Sequence, residues 1–599
     1  MGNSHSHKRN PQTHTQANLI SRINLGCHSF DSLTTIDHEK ATLDDRPVSS
    51  ADDHCHCLSK KRSQVGLSHK RSAPLLPVLR TPASLPPSLP PAIYHSALQN
   101  ISIQGCVKDY QTFLADFPEY RLTWILDALR RSDFQRLDNA GETYVDYMGG
   151  ALYPESLLHL HTDFLSHAIM GNTHSASNPS RLSLRCATEA RQAVLSFFKA
   201  PPGYTVVFTA NASAALKLVG ESYPFTEGSH YVLAADSHNS VNGIREYATR
   251  CGAKVVYIPS TPRGGLIDAE AKSILLQTVP RPHDRKQPHP PHLLGFTGQS
   301  NISNYKHSLS ILNYAASLGY HTLLDAAALV PSSSFSLAEH PVDAMAISFY
   351  KMFGFPTGVG ALVVKTSFLA QLRRPWFSGG TVSVVQVPGS QVTMSKDLHE
   401  RFEDGTINYL SLPAVTDGLR FLSAYLPFIP LRLSCLMCYL SAALLKVRHD
   451  VNGLPVVRIL SKTSARRLRS VGDQSDAGST ISLVFLMPAG EIMPLSFVDY
   501  AASRNSISLR TGCMCNPGGA AALLGITEAM GRLQAGVMLK DFEKTMGREL
   551  GVVRISLGLA SNFQDVWRVV QFACMLGREQ ARTALWKQWT ESLGVGCAL

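Results

Sequence analysis

Lys351 stands directly behind an apolar run, Ala344–Tyr350, and is followed by Met352-Phe353-Gly354 and the Gly358-Val359-Gly360 turn. A lysine just past a buried strand, among small residues, can have its pKa lowered and then serve as a nucleophile or Schiff-base amine. A lysine in that position can equally face solvent. About 26 residues earlier, Asp325 closes the apolar run His321–Leu324 and precedes three alanines. A carboxylate at a buried strand end needs a partner. A protonated ring nitrogen would be one, and capping of the next element is the alternative. Earlier still, Ala210-Asn211-Ala212-Ser213 follows the run Thr205–Thr209 and opens a helical pattern. Small residues there leave N–H groups free for an anion at the positive end of the helix. A plain N-cap by Asn211 or Ser213 is the ordinary alternative. Anion turn, Asp and Lys, in that order on successive strands, are the set that pyridoxal phosphate needs: a phosphate site, a partner for the pyridinium nitrogen and a Schiff-base lysine.

The elements that must position these residues are short apolar runs alternating with helical patterns. The runs are 205–210, 230–236, 254–260, 292–298, 321–328, 344–350 and 358–365. Continuous apolar runs separated by helices predict buried parallel strands, and therefore an α/β fold with a mostly parallel sheet. In such sheets ligands sit beyond the carboxyl ends of the strands. The chain has 599 residues, 44% of them hydrophobic and 17% charged, which excludes a collagen, a coiled coil and a disulfide scaffold. Lys+Arg 56 against Asp+Glu 45 gives a net charge of +11 with no basic stripe, so nucleic-acid binding is not expected. The 12 cysteines show no secreted-domain spacing, which favours a reducing compartment. The apolar stretch Phe421–Leu445 contains Pro427, Pro430 and Arg432, and reads as a buried helix with a break, not a membrane span.

Five segments carry a resemblance: AISFYKMFGFPTGVGALVV, FTANASAALKLVGE, SHNSVNGIREYA, RFEDGTINYLSLPAV and RTGCMCNPGGAA. Together they resemble the class V aminotransferases and, among these, the molybdenum cofactor sulfurases, from Tyr144 to Asp565. The resemblance implies a fold-type I PLP-dependent transferase, with a large cofactor domain over residues 106–410, including an N-terminal lead-in, and a smaller α+β domain over 411–599. It implies that Lys351 holds pyridoxal 5'-phosphate and moves the Cα proton, that Asp325 pairs with the pyridinium nitrogen, and that His238 stacks on the ring. Ala212 and Ser213 would hold the phosphate, and Ser348 and Tyr350 would add side-chain contacts. Arg554 would bind the substrate carboxylate, which suits a planar guanidinium; a structural arginine is the alternative. The resemblance further implies a homodimer, with Thr381 of Gly380-Thr381 near the phosphate of the neighbouring subunit.

Cys515 lies in Gly512-Cys513-Met514-Cys515-Asn516-Pro517-Gly518-Gly519, five residues after Arg510. The glycines predict a mobile loop, and a basic neighbour would favour the thiolate. The Cys513–Cys515 pair could instead form a metal half-site or a labile disulfide, but no partner ligands lie nearby, and no metal is expected. In the motif the second cysteine occupies the nucleophile position, so Cys515 is expected to take sulfur from L-cysteine as a persulfide, leaving alanine. A separate sulfur acceptor, the molybdenum cofactor or its carrier, would follow. About thirty residues follow Asp565, too few for the MOSC-type domain of full-length sulfurases, so the acceptor is expected to be supplied otherwise. Ala328 stands where desulfurases offer a side chain to the cofactor phenolic oxygen, Ala520 replaces an expected cysteine, and Tyr147 and Met148 replace a usual His and Ala. These departures keep open another class V chemistry, a C–S lyase or C–C bond former, and a non-catalytic scaffold.

Residues 1–105 are rich in His, Ser and Pro and end in a polyproline run, which predicts a solvated, disordered tail. Met1–Ser6 fits a loose myristoylation pattern, and Lys8, Arg9 and Arg22 without acids fit a transit peptide, both patterns with many false positives. Cytoplasm is the expected compartment. Residues 280–292 and 463–480 predict surface loops.

Overall fold

The computed structural model describes residues 103–279 and 290–595. The expected N-terminal tail, save its last residues, and most of the 280–292 loop lie outside the described residues. Seven strands form the central sheet: β1 (Tyr204–Thr209), β2 (His230–Ala234), β3 (Lys254–Ile258), β4 (His292–Thr297), β5 (Tyr320–Asp325), β6 (Ala344–Ser348) and β7 (Gly360–Lys365). Their order is β1-β7-β6-β5-β4-β2-β3. Every position of β4 and β6 is buried, because both faces are covered, and their runs are accordingly apolar throughout. At the edge, Lys254 and Tyr257 of β3 reach solvent.

The sheet is mostly parallel, as expected, with one departure. β7 runs antiparallel to both β6 and β1. The link 349–359 holds a single helical turn, Phe349–Phe353, too little chain for a parallel crossover, so the strand turns straight back. Strands β1 to β6 therefore all point the same way, and their carboxyl ends open on one edge of the sheet.

The helices that matter here are α1 (Ile103–Asp116), α2 (Asn178–Phe197), α3 (Ala212–Ser222), α4 (Leu412–Tyr425), α5 (Ile429–Leu444), α6 (Pro517–Leu524) and α7 (Phe563–Gly577). α4 packs on α2, and α5 on α7. The Phe421–Leu445 stretch falls across α4 and α5, which meet at a 64° bend; among the described residues no single helix is long and apolar enough to cross a membrane. A second, antiparallel sheet is built from β8 (Val457–Ile459), β9 (Thr480–Phe485), β10 (Arg510–Gly512) and β11 (Val552–Ser556), in the order β8-β9-β11-β10.

Several charges placed in the interior are paired, as their desolvation demands. Arg130, 4% exposed, donates to the buried Asp565 at 2.7 Å and also to Asp138. Arg432 pairs with Asp127, and Arg467 with Glu119. These pairs tie the lead-in, residues 103–140, to the C-terminal third of the chain. The polar stretch 463–480 is a loop, but a pinned one: Arg467 holds it to Glu119, Leu468 is buried, and Lys306 Nζ donates to the Ser475 carbonyl at 3.1 Å.

Candidate active site

A cavity of about 150 Å³ opens at the carboxyl edge of the central sheet. Five strand ends contribute to it. β1 leads into Asn211, Ala212 and Ser213; β2 into His238 and Ser240; β4 into Gln299 and Asn301; β5 ends on Asp325; β6 ends on Ser348, followed by Tyr350 and Lys351. Of the residues singled out in the sequence, Lys351, Asp325, His238, Ala212, Ser213, Ser348 and Tyr350 all line this one cavity.

The anion end is built at the start of α3. Asn211 caps the helix, its side chain accepting from Ala214 N at 3.0 Å. The Ala212 N–H is already spent, donating to Ser348 Oγ at 2.8 Å. That bond ties the end of β6 to the helix and leaves the Ser348 hydroxyl proton available to an anion. The Ser213 and Ser240 hydroxyls meet at 2.5 Å, so two strand ends bring their donors to one point. The N-cap that the sequence offered is present, and the groups left for an anion are the Ser213, Ser240 and Ser348 hydroxyls, not the Ala212 N–H expected from the sequence.

The cationic end is governed by burial. Desolvation holds the Lys351 amine below the ordinary lysine range; Arg554 and Arg510 push the same way, and Asp325 opposes them. Desolvation also lowers His238, against Asp325 and with Lys351 and Arg510. His238 Nδ1 accepts from Ser240 N at 3.1 Å, which places the proton of the neutral ring on Nε2 and fixes the ring orientation. Asp325, 8% exposed, accepts from Ala327 N at 3.1 Å. A buried carboxylate, a lysine whose proton affinity is lowered by burial, an oriented imidazole and a hydroxyl-rich helix start form a set that fits pyridoxal phosphate: aldehyde, pyridine nitrogen, ring face and phosphate each meet a suitable group.

Cys515 is exposed, and its turn is hydrogen-bonded to the cavity rim. Asn239 N, next to His238, donates to Cys515 O at 2.7 Å, and Asn301 Nδ2 donates to Met514 O at 2.7 Å. The segment is not the mobile loop that its glycines suggested. Asn516 caps α6, Pro517 begins it, and the glycines permit close approach: a Cβ on Gly518 would lie 2.1 Å from Ala235 O, and one on Gly519 2.5 Å from Asp236 Oδ1. Cys513, in contrast, is half-buried, and burial pushes its thiol up. Among the described residues no cluster of His, Cys, Asp or Glu could hold a metal ion.

Arg554 is buried beside the cavity, not in its lining. It donates to the Asn301 carbonyl at 3.2 Å and to Asp146 at 2.5 Å, while its Nε has no partner. Arg510 stands opposite Arg554 in the β10–β11 register, so both side chains share one face of the second sheet. Thr381 is not brought to the cavity of its own chain: it is buried and bonds to the Ser378 backbone. Two residues escaped the sequence reading although both follow strand ends. Asn301 links the β4 end to the cysteine turn. Asp236, fully buried after β2, accepts from Gly265 N, Ser300 Oγ, Ser303 Oγ and Asn516 Nδ2, and so anchors that turn to the sheet.

Comparison with known proteins agrees with this geometry. Residues 143–429 match the family described as Aminotransferase class-V. The molybdenum cofactor sulfurase of Arabidopsis thaliana is 31% identical over 478 residues, covering 75% of this chain and 57% of that protein. The molybdenum cofactor sulfurase of Bos taurus is 34% identical over 469 residues, covering 75% and 51% respectively. The chain therefore spans just over half the length of these relatives. Among solved structures, an apo cysteine desulfurase from Thermococcus onnurineus NA1 superposes with a TM-score of 0.58 at 20% identity, covering 75% of this chain and 97% of that one. The architecture is that of fold-type I.

Proposed function

We infer that this chain, which belongs to the class-V aminotransferase family over residues 143–429, is a pyridoxal phosphate-dependent enzyme that moves sulfur from L-cysteine onto Cys515. One observation carries this reading: a partly buried lysine and a buried aspartate share a cavity whose rim is hydrogen-bonded to the turn bearing an exposed cysteine. In this proposal the part up to residue 410 holds the cofactor, and residues 411–599 bring Cys515 and Arg554.

Asp325 would meet the pyridine nitrogen, His238 the ring face, and Ser213, Ser240 and Ser348 the phosphate. When bound, the cofactor supplies an electron sink for charge developing at the substrate Cα. Lys351, with its proton affinity reduced by burial, accepts the Cα proton. Arg554 binds the substrate carboxylate through the guanidinium edge that Asp146 leaves open, and Arg510 adds positive charge from the neighbouring strand. The Cys515 thiolate attacks the substrate sulfur: an S–S bond forms, the Cβ–S bond breaks, and protons return to carbon. L-cysteine and the Cys515 thiol thereby become L-alanine and a Cys515 persulfide.

The relatives' name supplies the acceptor in this proposal, the molybdenum cofactor, free or on a carrier protein. A homodimer in which Thr381 serves the partner's phosphate site, and a cytoplasmic location, belong to the same proposal. The decisive experiment is an absorbance titration of the purified protein with L-cysteine, assaying alanine and, with a thiol reductant, sulfide. The wild type is expected to show a pyridoxal-lysine band and release alanine. Cys515→Ala should keep the band and lose alanine release. Alanine release that survives the substitution, or a band indifferent to cysteine, overturns persulfide formation and points to another class V chemistry.

A further inference from the structure

A second and larger cavity, of about 290 Å³, lies against the wall of the first. Asn304 and Gly478 line it, whereas Gln299 lines the cofactor cavity. The three are in contact: a Cβ on Gly478 would come within 2.4 Å of Gln299 Nε2 and 2.5 Å of Asn304 Oδ1. One side of the larger cavity is apolar, with Leu433, Met437 and Leu445 from α5 and the residues after it. The other side is the pinned 463–479 loop, and Lys306 enters beneath it.

Lys306 is poorly compensated. Among the described residues its ammonium has one hydrogen-bond acceptor, the Ser475 carbonyl at 3.1 Å, for three N–H donors. The carboxylate that acts on it, Asp476, is engaged elsewhere: it lies 3.9 Å from Lys462 Nζ and accepts from Ser464 Oγ at 2.5 Å. Lys306, Lys462 and Asp476 leave one uncompensated positive charge beside an apolar wall. Burial accordingly pushes the Lys306 amine down to about 8. A buried charge calls for a counter-charge.

We propose that this cavity binds a small organic monoanion with an apolar body, an aromatic or branched aliphatic carboxylate, whose charged end pairs with Lys306 while its body lies along Leu433, Met437 and Leu445. The site uses no residue of the proposed sulfur chemistry and stands or falls independently of it.

Benzoate is the probe, with benzamide as its neutral counterpart of the same shape, titrated calorimetrically into the cofactor-loaded full chain. Benzoate is expected to bind, and benzamide to bind about tenfold more weakly, as the loss of a charge-assisted bond requires. Lys306→Met should weaken benzoate by a similar factor, and Lys306→Arg should keep most of the affinity. Should Lys306→Met not fold, Ala442→Phe fills the mouth from an exposed position and is expected to weaken benzoate likewise. Benzoate held instead by Arg554 or Arg510 would survive both substitutions and shift the cofactor absorbance. That result, equal affinity for benzamide, or no saturable benzoate binding overturns the proposal.

Discussion

Replacing Asp236 by asparagine changes one acceptor oxygen into a donor at constant volume. Asp236 Oδ1 accepts from Ser300 Oγ at 2.6 Å and Asn516 Nδ2 at 2.7 Å, while Oδ2 accepts from Gly265 N at 2.7 Å and from Ser303 Oγ. The two serine hydroxyls can reverse and accept from an amide, but the Gly265 N–H and the Asn516 NH₂ can only donate. Whichever way the new amide lies, one of those two donors faces another donor. Gly265 N is fixed in the backbone, whereas Asn516 belongs to the cysteine turn, so the Asn516 bond is the one expected to break. A hydrogen bond to a charged group is worth about 1.5–3 kcal/mol. At 1.4 kcal/mol per factor of ten, the turn should open about ten to a hundred times more often. Amide hydrogen exchange reads this directly at Asn239, which donates to Cys515 O, and at Gly519, which donates to Asn516 Oδ1 at 2.9 Å. Both amides should lose protection by that factor while β4 and β6 keep theirs. If a folded Asp236→Asn protein protects Asn239 and Gly519 as the wild type does, the carboxylate is not what holds the turn.

Arg130→Met leaves Asp565 buried without its cation and should cost about 3–5 kcal/mol in denaturant unfolding; a change below about 1 kcal/mol would mean that Asp565 finds another partner. Gly518→Ala places a Cβ against the Ala235 carbonyl, so α6 must shift. The expected cost is about 1–3 kcal/mol, with a changed rate of Cys515 alkylation, and an unaltered melting midpoint together with an unaltered rate refutes the close packing. Lys306 has a folded pKa of about 8 against an ordinary 10.5. Between those values the unfolded chain holds the extra proton, so this group's contribution to stability rises with pH across that window and its full penalty is present below it. Lys306→Met should therefore resist urea better than the wild type at neutral pH, with the gap closing as pH climbs from about 8 towards 10.5; equal stability at neutral pH refutes this.

The strands were legible because most are buried on both faces and so appear as unbroken apolar runs, and the cavity residues were legible because they follow those runs. Asp325, Lys351 and Ser213 needed only the rule that ligands gather at strand carboxyl ends. Asp236 and Asn301 obey the same rule, but a buried carboxylate serving as a hub for four donors looks in sequence like any polar residue after a strand. The direction of β7 depended on counting the short link before it. The attachment of the lead-in had no local signal at all, since Arg130 and Asp565 meet across 435 positions. Gly518 and Gly519 were misleading for a physical reason: a missing Cβ permits either mobility or close backbone contact, and only the neighbouring Ala235 and Asp236 decide which.

The cysteine turn shows why Cys513 and Cys515 are not equivalent. β10 ends at Gly512, and an extended chain continuing from it would put residues 513 and 515 on the same side, since side chains alternate with a period of two. Met514 and Cys515 instead adopt left-handed conformations, φ +55 and +54, which cost residues other than glycine about 1–3 kcal/mol each. Such a cost persists only where the surroundings fix the backbone. Here Asn301 holds the Met514 carbonyl, Asn239 holds the Cys515 carbonyl, and Asn516 is pinned by Asp236 and caps α6. The rotation breaks the alternation. Cys513 is turned inward, within 3.9 Å of the Leu550 carbonyl, Met514 is buried, and Cys515 emerges. In the proposed reaction the thiol has to be exposed to pass its sulfur on, while the Lys351 amine has to be kept from water for its proton affinity to stay low. These opposite demands are met a few residues from one rim because a strained turn, tied to the residues lining the cavity, carries the thiol outward without loosening the wall behind it.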